Sequence, residues 1–208
     1  TGNAVNDTPT VETTTPNQTL IEDFTGYTID LNATFADVET ADAALVYSVT
    51  GNTNVNVSIA SGIATITPTL NWNGSETLIF RATDTGGLFI EQSVLFTVNP
   101  DNDAPQLVTN NPLSVPEEST VTITSAYLEA TDVDNTADEI VFTLTGLPSG
   151  GNVQLSGVNL SLNDVFTQED INNNLVTYND PNDPNNASFT FRISDGTNTS
   201  GDMSFSVN

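Results

Sequence analysis

The chain contains no cysteine, no histidine and no lysine; its only basic residues are Arg81 and Arg192. Without cysteine no disulfide braces the fold, and the redox state of the compartment leaves no mark on the sequence. A bacterial surface or secreted origin suits that lack. With neither histidine nor cysteine, the usual zinc and copper ligands are missing. Nucleophile–base catalysis is equally short of parts, and no serine stands in a nucleophile-elbow motif. Paired carboxylates can hydrolyse glycosides unaided, but here they concentrate at expected domain ends and not in a cleft, so no enzyme is expected. No apolar run approaches the ~20 residues of a membrane span, and no signal peptide is visible.

Acid is what the chain has in excess. Twenty-seven acidic residues leave a formal charge of −25. Nucleic acid and anionic membrane are poor partners for such a surface. Its self-repulsion calls for high salt or bound cations.

The acidic residues recur in order. Phe80-Arg81-Ala82-Thr83-Asp84 returns as Phe191-Arg192-Ile193-Ser194-Asp195, and Asp37-Val38-Glu39 returns as Asp132-Val133-Asp134. Glu22, Asp37 and Tyr47 each find a counterpart 95 residues on, at Glu117, Asp132 and Phe142, whereas Asp84 and Asp195 are 111 apart. The second copy therefore holds about 16 extra residues between its middle and its end. A period near one hundred is too long for a solenoid and fits tandem sandwich domains. The boundary falls at Asp101–Asp103, giving domains 1–101 and 102–208.

Within each copy the pattern is β. Segments 27–31, 45–49, 55–59, 63–67, 78–82 and 94–98 alternate apolar and polar residues between Gly, Asn and Asp turns. Leu78, Phe80 and Ala82 should face inward on one strand, and Val94, Phe96 and Val98 on its neighbour. The second copy repeats this at 121–123, 140–144, 153–155, 175–178, 189–193 and 203–207. Its extra residues include Phe166-Thr167-Gln168-Glu169-Asp170-Ile171-Asn172, where Thr167 is placed to cap one helical turn with Asp170 as capping-box partner. Asn179–Asn186 reads as a surface loop, with a minor ligand site as the other reading. The sequons at Asn17, Asn32, Asn56, Asn73 and Asn186 are what an Asn- and Thr-rich chain yields by chance, and no glycan is expected.

These residues resemble cadherin-like repeats. Asp101-Asn102-Asp103-Ala104-Pro105 is similar to the calcium-binding linker between cadherin domains, and Asp132-Val133-Asp134 to the Asp-x-Asp signature of the domain that follows. Glu22 resembles the early acidic residue of the preceding domain, and Asp195 the later aspartate that completes the downstream half-site. The second copy is also similar to chondroitin sulfate proteoglycan-type repeats, through residues 166–171 and 189–196. The resemblance implies an all-β chain of two tandem cadherin/immunoglobulin-like Greek-key β-sandwiches, with a short helical turn in the second. It implies calcium held by Glu22, Asp101, Asn102, Asp103, Asp132, Asp134 and Asp195. The first-copy equivalents Asn6, Asp7, Asp37, Glu39 and Asp84 form a second, half-complete set. Where cadherins carry an acidic triplet late in the upstream domain, this chain reads Asn71-Trp72-Asn73-Gly74-Ser75-Glu76, so one or two ions are expected at the joint and not three. Calcium accepts six to eight oxygen ligands in flexible geometry, which suits carboxylates and Asn carbonyls.

The expectation is a calcium-rigidified extender or adhesion segment of a larger extracellular or cell-surface protein, flanked by further cadherin-like domains of the same chain. Polysaccharide or another cell-surface protein is a further candidate partner. The ligand sets look truncated at both ends, as in a piece cut from an array. The other reading is a carbohydrate-binding module of a secreted protein, with Trp72, Tyr47 and Tyr178 as aromatic platforms.

Overall fold

A computed structural model describes residues 5–181 and 186–208. The chain divides into two compact units, Thr1–Asp101 and Asn102–Asn208. The loop expected at Asn179–Asn186 lies in part outside the described residues.

The first unit runs β1 (Thr10–Val11), β2 (Gln18–Ile21), β3 (Tyr27–Asp30), α1 (Leu31–Thr34), β4 (Phe35–Ala36), β5 (Val46–Thr50), β6 (Val55–Ala60), β7 (Ile63–Pro68), β8 (Gly74–Thr83) and β9 (Phe89–Asn99). One sheet has the order β2-β9-β8-β5 and the other β3-β7-β6, while β1 pairs with β4. The β2–β9 pair is parallel and the rest are antiparallel. Both inward triplets behave as their alternation predicts: Leu78, Phe80, Ala82, Val94, Phe96 and Val98 are all buried. At roughly 25 cal/mol per Å² of apolar surface, such rows are the main force joining the sheets.

The second unit runs β10 (Gln106–Asn110), β11 (Thr120–Thr122), β12 (Leu128–Thr131), β13 (Val141–Gly146), β14 (Asn152–Leu155), β15 (Val158–Asn159), β16 (Val165–Thr167), α2 (Gln168–Asn172), β17 (Val176–Asn179), β18 (Ala187–Ser194) and β19 (Met203–Val207). Its sheets have the orders β16-β13-β18-β19 and β11-β17-β14-β15, with β10 paired to β12. Leu113 makes an isolated parallel bridge to Val207, the counterpart of the β2–β9 pair. Phe142, Phe166, Phe189, Phe191 and Phe205 fill the core.

The extra residues of the second unit reroute the chain. In the first unit Ser61 and Gly62, both at positive φ, turn β6 directly into β7. Gly62 is needed there: a Cβ would meet the Asn32 side chain at 2.1 Å. Ser156 and Gly157 make the same turn after β14, but the strand that follows, β15, lies on the outer side of the sheet. The chain then crosses to the other sheet as β16 before α2 returns it to β17. Thr167 caps α2 and shares a reciprocal capping box with Asp170, as the sequence predicts. Ile171 and Gln168 are buried beneath it, and Gln168 accepts the Ala130 N–H at 2.8 Å.

Local chemistry redraws several expected boundaries. The strand expected through Leu31 stops at Asp30, whose carboxylate accepts the N–H groups of Asn32 and Ala33 and so starts a helical turn in the first unit as well. β8 and β9 reach ten and eleven residues, about twice the expected length, because their polar ends still pair backbone to backbone. The short strands β2, β10, β12 and β16 carry too few alternations to stand out from turns.

Phe166 is buried and its ring stacks on Phe142 at 5.0 Å. Phe166→Ala should destabilise the second unit by about 3–5 kcal/mol and leave the first unit's unfolding transition in place. Urea melts followed by residue-resolved NMR read both; a loss under about 1 kcal/mol would show that the inserted segment is not part of the core.

Candidate functional site: paired acidic clusters

One arrangement is built twice. In the second unit the carboxylate of Asp132 accepts the N–H groups of Asp134 (2.8 Å) and Asn135 (3.1 Å) on one oxygen, Oδ1. In the first, Asp37 Oδ1 accepts those of Glu39 (3.0 Å) and Thr40 (2.6 Å). This is the turn chemistry that aspartate favours. It leaves the other oxygen over: Asp37 Oδ2 and Asp132 Oδ2 are both buried without a hydrogen-bond partner. Buried polar atoms normally find one, so an orphan repeated in both copies marks a position that an external group such as a water or an ion can fill.

The remaining residues gather around each turn in the same way. Asp134 Oδ2 accepts the Asp103 N–H at 2.8 Å, and Glu39 Oε2 accepts the Asp7 N–H at 3.2 Å. Asn102 donates its side-chain amide to Asp195 Oδ2 at 2.8 Å, as Asn6 does to Asp84 Oδ2 at 2.8 Å. Thus Asn102, Asp103, Asp132, Asp134 and Asp195 are linked in one unit, and Asn6, Asp7, Asp37, Glu39 and Asp84 in the other. Among the described residues, no group of three or more acidic side chains stands close enough to form a ready metal cage.

Glu22 and Asp101 belong together within the first unit. Glu22 is buried, accepting the Asp101 N–H at 2.6 Å and the Asn73 amide at 3.3 Å. The neighbouring Asp23, at φ 57°, accepts the Asn71 N–H at 2.9 Å. Asn71 and Asn73, which stand where an acidic triplet is missing, therefore organise acidic residues. Glu76 points elsewhere, with Oε2 on the Asn54 backbone and side-chain amides. Sequence reasoning also passed over Asn135, whose buried Oδ1 is unpartnered, and Asn198, which donates to the Asp103 carbonyl at 3.4 Å. Asn135 directly follows the Asp-x-Asp signature, and that adjacency was the available signal.

Neither arginine relieves these clusters. Arg81 pairs with Glu91 at 2.6 Å and lies over the Phe89 ring, and Arg192 pairs with Asp202 at 2.7 Å.

The three candidate sugar platforms fare differently. Tyr178 is a core residue, 1% exposed, with its hydroxyl donated to the Gly150 carbonyl, so the expectation of an aromatic platform there is wrong. It sits at an inward position of β17, where burying the ring outweighs exposing it. Trp72 is half-buried and packs against the first core. Tyr47 is half-buried too, its hydroxyl bonded to Asn32 Oδ1 and the Asp42 carbonyl.

Two β-sandwiches, each with an acidic turn gathered beside its entering segment, define a class of tandem cadherin-like module, and the family comparisons agree. Residues 5–99 match a family described as "Cadherin-like domain", and residues 105–208 one described as "Cadherin-like". The chain belongs to the cadherin-like family. Among its relatives, the extracellular matrix organizing protein FRAS1 of Mus musculus is 38% identical over 112 residues, 52% of this chain and 3% of that protein. Human chondroitin sulfate proteoglycan 4 is 35% identical over 112 residues, 53% of this chain and 5% of that one. Extracellular matrix protein 3 of Lytechinus variegatus is 33% identical over 119 residues, 57% of this chain and 4% of that one. The chain thus spans only a few per cent of the length of these relatives. A solved Drosophila N-cadherin EC1-4 structure aligns over 97% of this chain and 49% of its own, at TM-score 0.45 and 16% identity. No helix among the described residues is long and apolar enough to cross a membrane.

The clusters also fix protonation. Burial opposes ionisation of Asp84, but the Asn6 amide and the N–H groups of Leu88, Gly87 and Gly86 outweigh it and hold the carboxyl below its ordinary 3.8. Burial likewise opposes ionisation of Asp195, and the Asn102 amide with the N–H groups of Asn198 and Thr197 hold it below 3.8. A carboxyl depressed in the folded state stabilises the fold fully above its unfolded value, and that stabilisation is lost as pH falls through the lower folded value. In chelator, carboxyl NMR titration should therefore give midpoints below 3.8 for both, and Asn6→Ala should raise that of Asp84 alone. Ordinary midpoints would dissolve both clusters.

Proposed function

We propose that the chain is a calcium-binding extender or adhesion segment of a larger extracellular or cell-surface protein, rigidified by calcium and flanked by further cadherin-like domains. The observation that carries this is the orphaned, buried carboxylate oxygen of Asp37 and of Asp132, repeated in both units. The donor set fits: carboxylates and amide carbonyls are hard oxygen ligands, and neither histidine nor cysteine competes. Asn102, Asp103, Asp132, Asp134 and Asp195 would hold the ion in the second unit, Asn6, Asp7, Asp37, Glu39 and Asp84 in the first, with Glu22 and Asp101 as a further pair of ligands. Calcium would supply the positive charge that the arginines do not bring to these carboxylates. Support also comes from the family, and from relatives named as extracellular matrix proteins.

Extracellular calcium modules bind on the order of 10⁻⁴–10⁻³ M. At about one hundred times the dissociation constant, binding to the folded state adds about 2.7 kcal/mol. Calcium should therefore raise the melting temperature by several degrees over chelator, and small-angle scattering should report a longer, stiffer particle. The combined variant Asp101→Asn, Asp103→Asn, Asp132→Asn and Asp134→Asn keeps side-chain acceptors for the turns but should lose most of that response. An unchanged calcium response in this variant would refute the assignment.

A further inference from the structure

The side of the sandwich between β5 and β6 is open in the first unit and closed in the second. In the second, β16 pairs with β13 and β15 pairs with β14, so the inserted segment covers both strands. In the first, β5 and β6 are the outer strands of their sheets. Between them lies a surface hollow of about 390 Å³, lined by Asn32, Ala43, Leu45, Tyr47, Ile59 and Gly62.

The internal repeat shows what fits there. Tyr47 occupies the position of Phe142. Phe142 stands directly opposite Phe166 of β16, and the two rings stack at 5.0 Å and 7°. Phe166 is 1% exposed. The backbone seals the arrangement, with Leu144 N–H donating to the Asp164 carbonyl and Gln168 N–H to the Ile140 carbonyl, both at 3.0 Å. The counterparts of Leu144 and Ile140 are Val49 and Leu45. A strand laid along β5 would meet the same groups, and its residue opposite Tyr47 would point into the hollow.

β5 also lacks the usual protections of an edge. It carries no charge, no proline and no bulge, and Val46 is exposed. The surroundings are acidic: burial, then the charges of Asp42 and Asp30, push the Tyr47 hydroxyl up to about 12. An acidic strand would be repelled and a basic one attracted.

We propose that the β5 edge and its hollow form a strand-addition site for an extended segment of a partner chain, one that places an aromatic side chain opposite Tyr47 and basic residues at its flanks. Backbone pairing supplies affinity, and the hollow and the two aspartates supply selectivity. The site shares no residue with the two acidic clusters.

The probe is a fluorescent hexapeptide carrying the Val165–Gln168 sequence between two lysines, titrated into the full chain with anisotropy and amide NMR readouts. Saturable binding is expected, with shifts centred on β5 and the Ser61–Gly62 turn. Serine in place of the peptide's phenylalanine should weaken binding by about tenfold or more, as losing a buried aromatic demands. Ala43→Trp, at an exposed rim position, should fill the hollow and abolish binding; Asp42→Asn should weaken it most at low salt. No saturation at millimolar peptide, equal binding of the serine peptide, or shifts away from β5 would each overturn the proposal. If Ala43→Trp fails to fold, the two peptides on the unaltered chain still decide.

Discussion

The division of labour within one carboxylate, repeated at Asp37 and Asp132, organises the ends of both units. One oxygen satisfies two backbone N–H groups and thereby shapes the Asp-x-acid turn. That turn presents Glu39 and Asp134 to the entering chain, whose backbone N–H they accept at Asp7 and Asp103. The entering chain in turn sets Asn6 and Asn102 against the aspartates that directly follow β8 and β18. Three stretches distant in sequence are thus tied together by hydrogen bonds to carboxylates, and the second oxygen of the founding aspartate is left buried and unsatisfied.

Charge makes this arrangement consequential. A chain at −25 has little compensating charge of its own, and both arginines serve ion pairs on half-exposed surface. Such pairs contribute roughly 0–1 kcal/mol each, so they shape the surface more than they stabilise it. In the proposed reading an oxygen-loving divalent cation neutralises the acidic turns.

The two units solve the geometry of a sandwich differently. Two packed sheets leave open sides where their outer strands do not meet. The second unit spends its extra residues there, with Phe166 stacked on Phe142 and Ile171 anchoring α2. The first unit narrows the same region only in part: Phe35, delivered by α1, lies 6.2 Å from Tyr47, and Asn32 bridges the Tyr47 hydroxyl and the Ser61 carbonyl. The hollow that remains is the difference between two copies of one plan.

Much of this was legible in the residues. Period-two alternation marked the inward faces of β8 and β9, because a strand buried on one face has to alternate. Thr167 and Asp170 announced α2, because a capping box is local chemistry. The repeated offset paired Asp37 with Asp132, and the repeated Phe-Arg signature paired Asp84 with Asp195, which named the acidic residues gathered around each turn. What the linear sequence left open depends on contacts between distant segments. Tyr178 and Tyr47 look alike in sequence, yet packing buries one and leaves the other beside a hollow. Ser61-Gly62 and Ser156-Gly157 make the same turn, yet the strand that follows lies inside the sheet in one unit and outside it in the other. Nor does a string of aspartates reveal which carboxylate oxygen is satisfied. Composition and local pattern therefore determined the β class, the repeat and the acidic residues, while tertiary packing decided which oxygens are orphaned and which edge stays open, because both depend on what the rest of the chain has already covered.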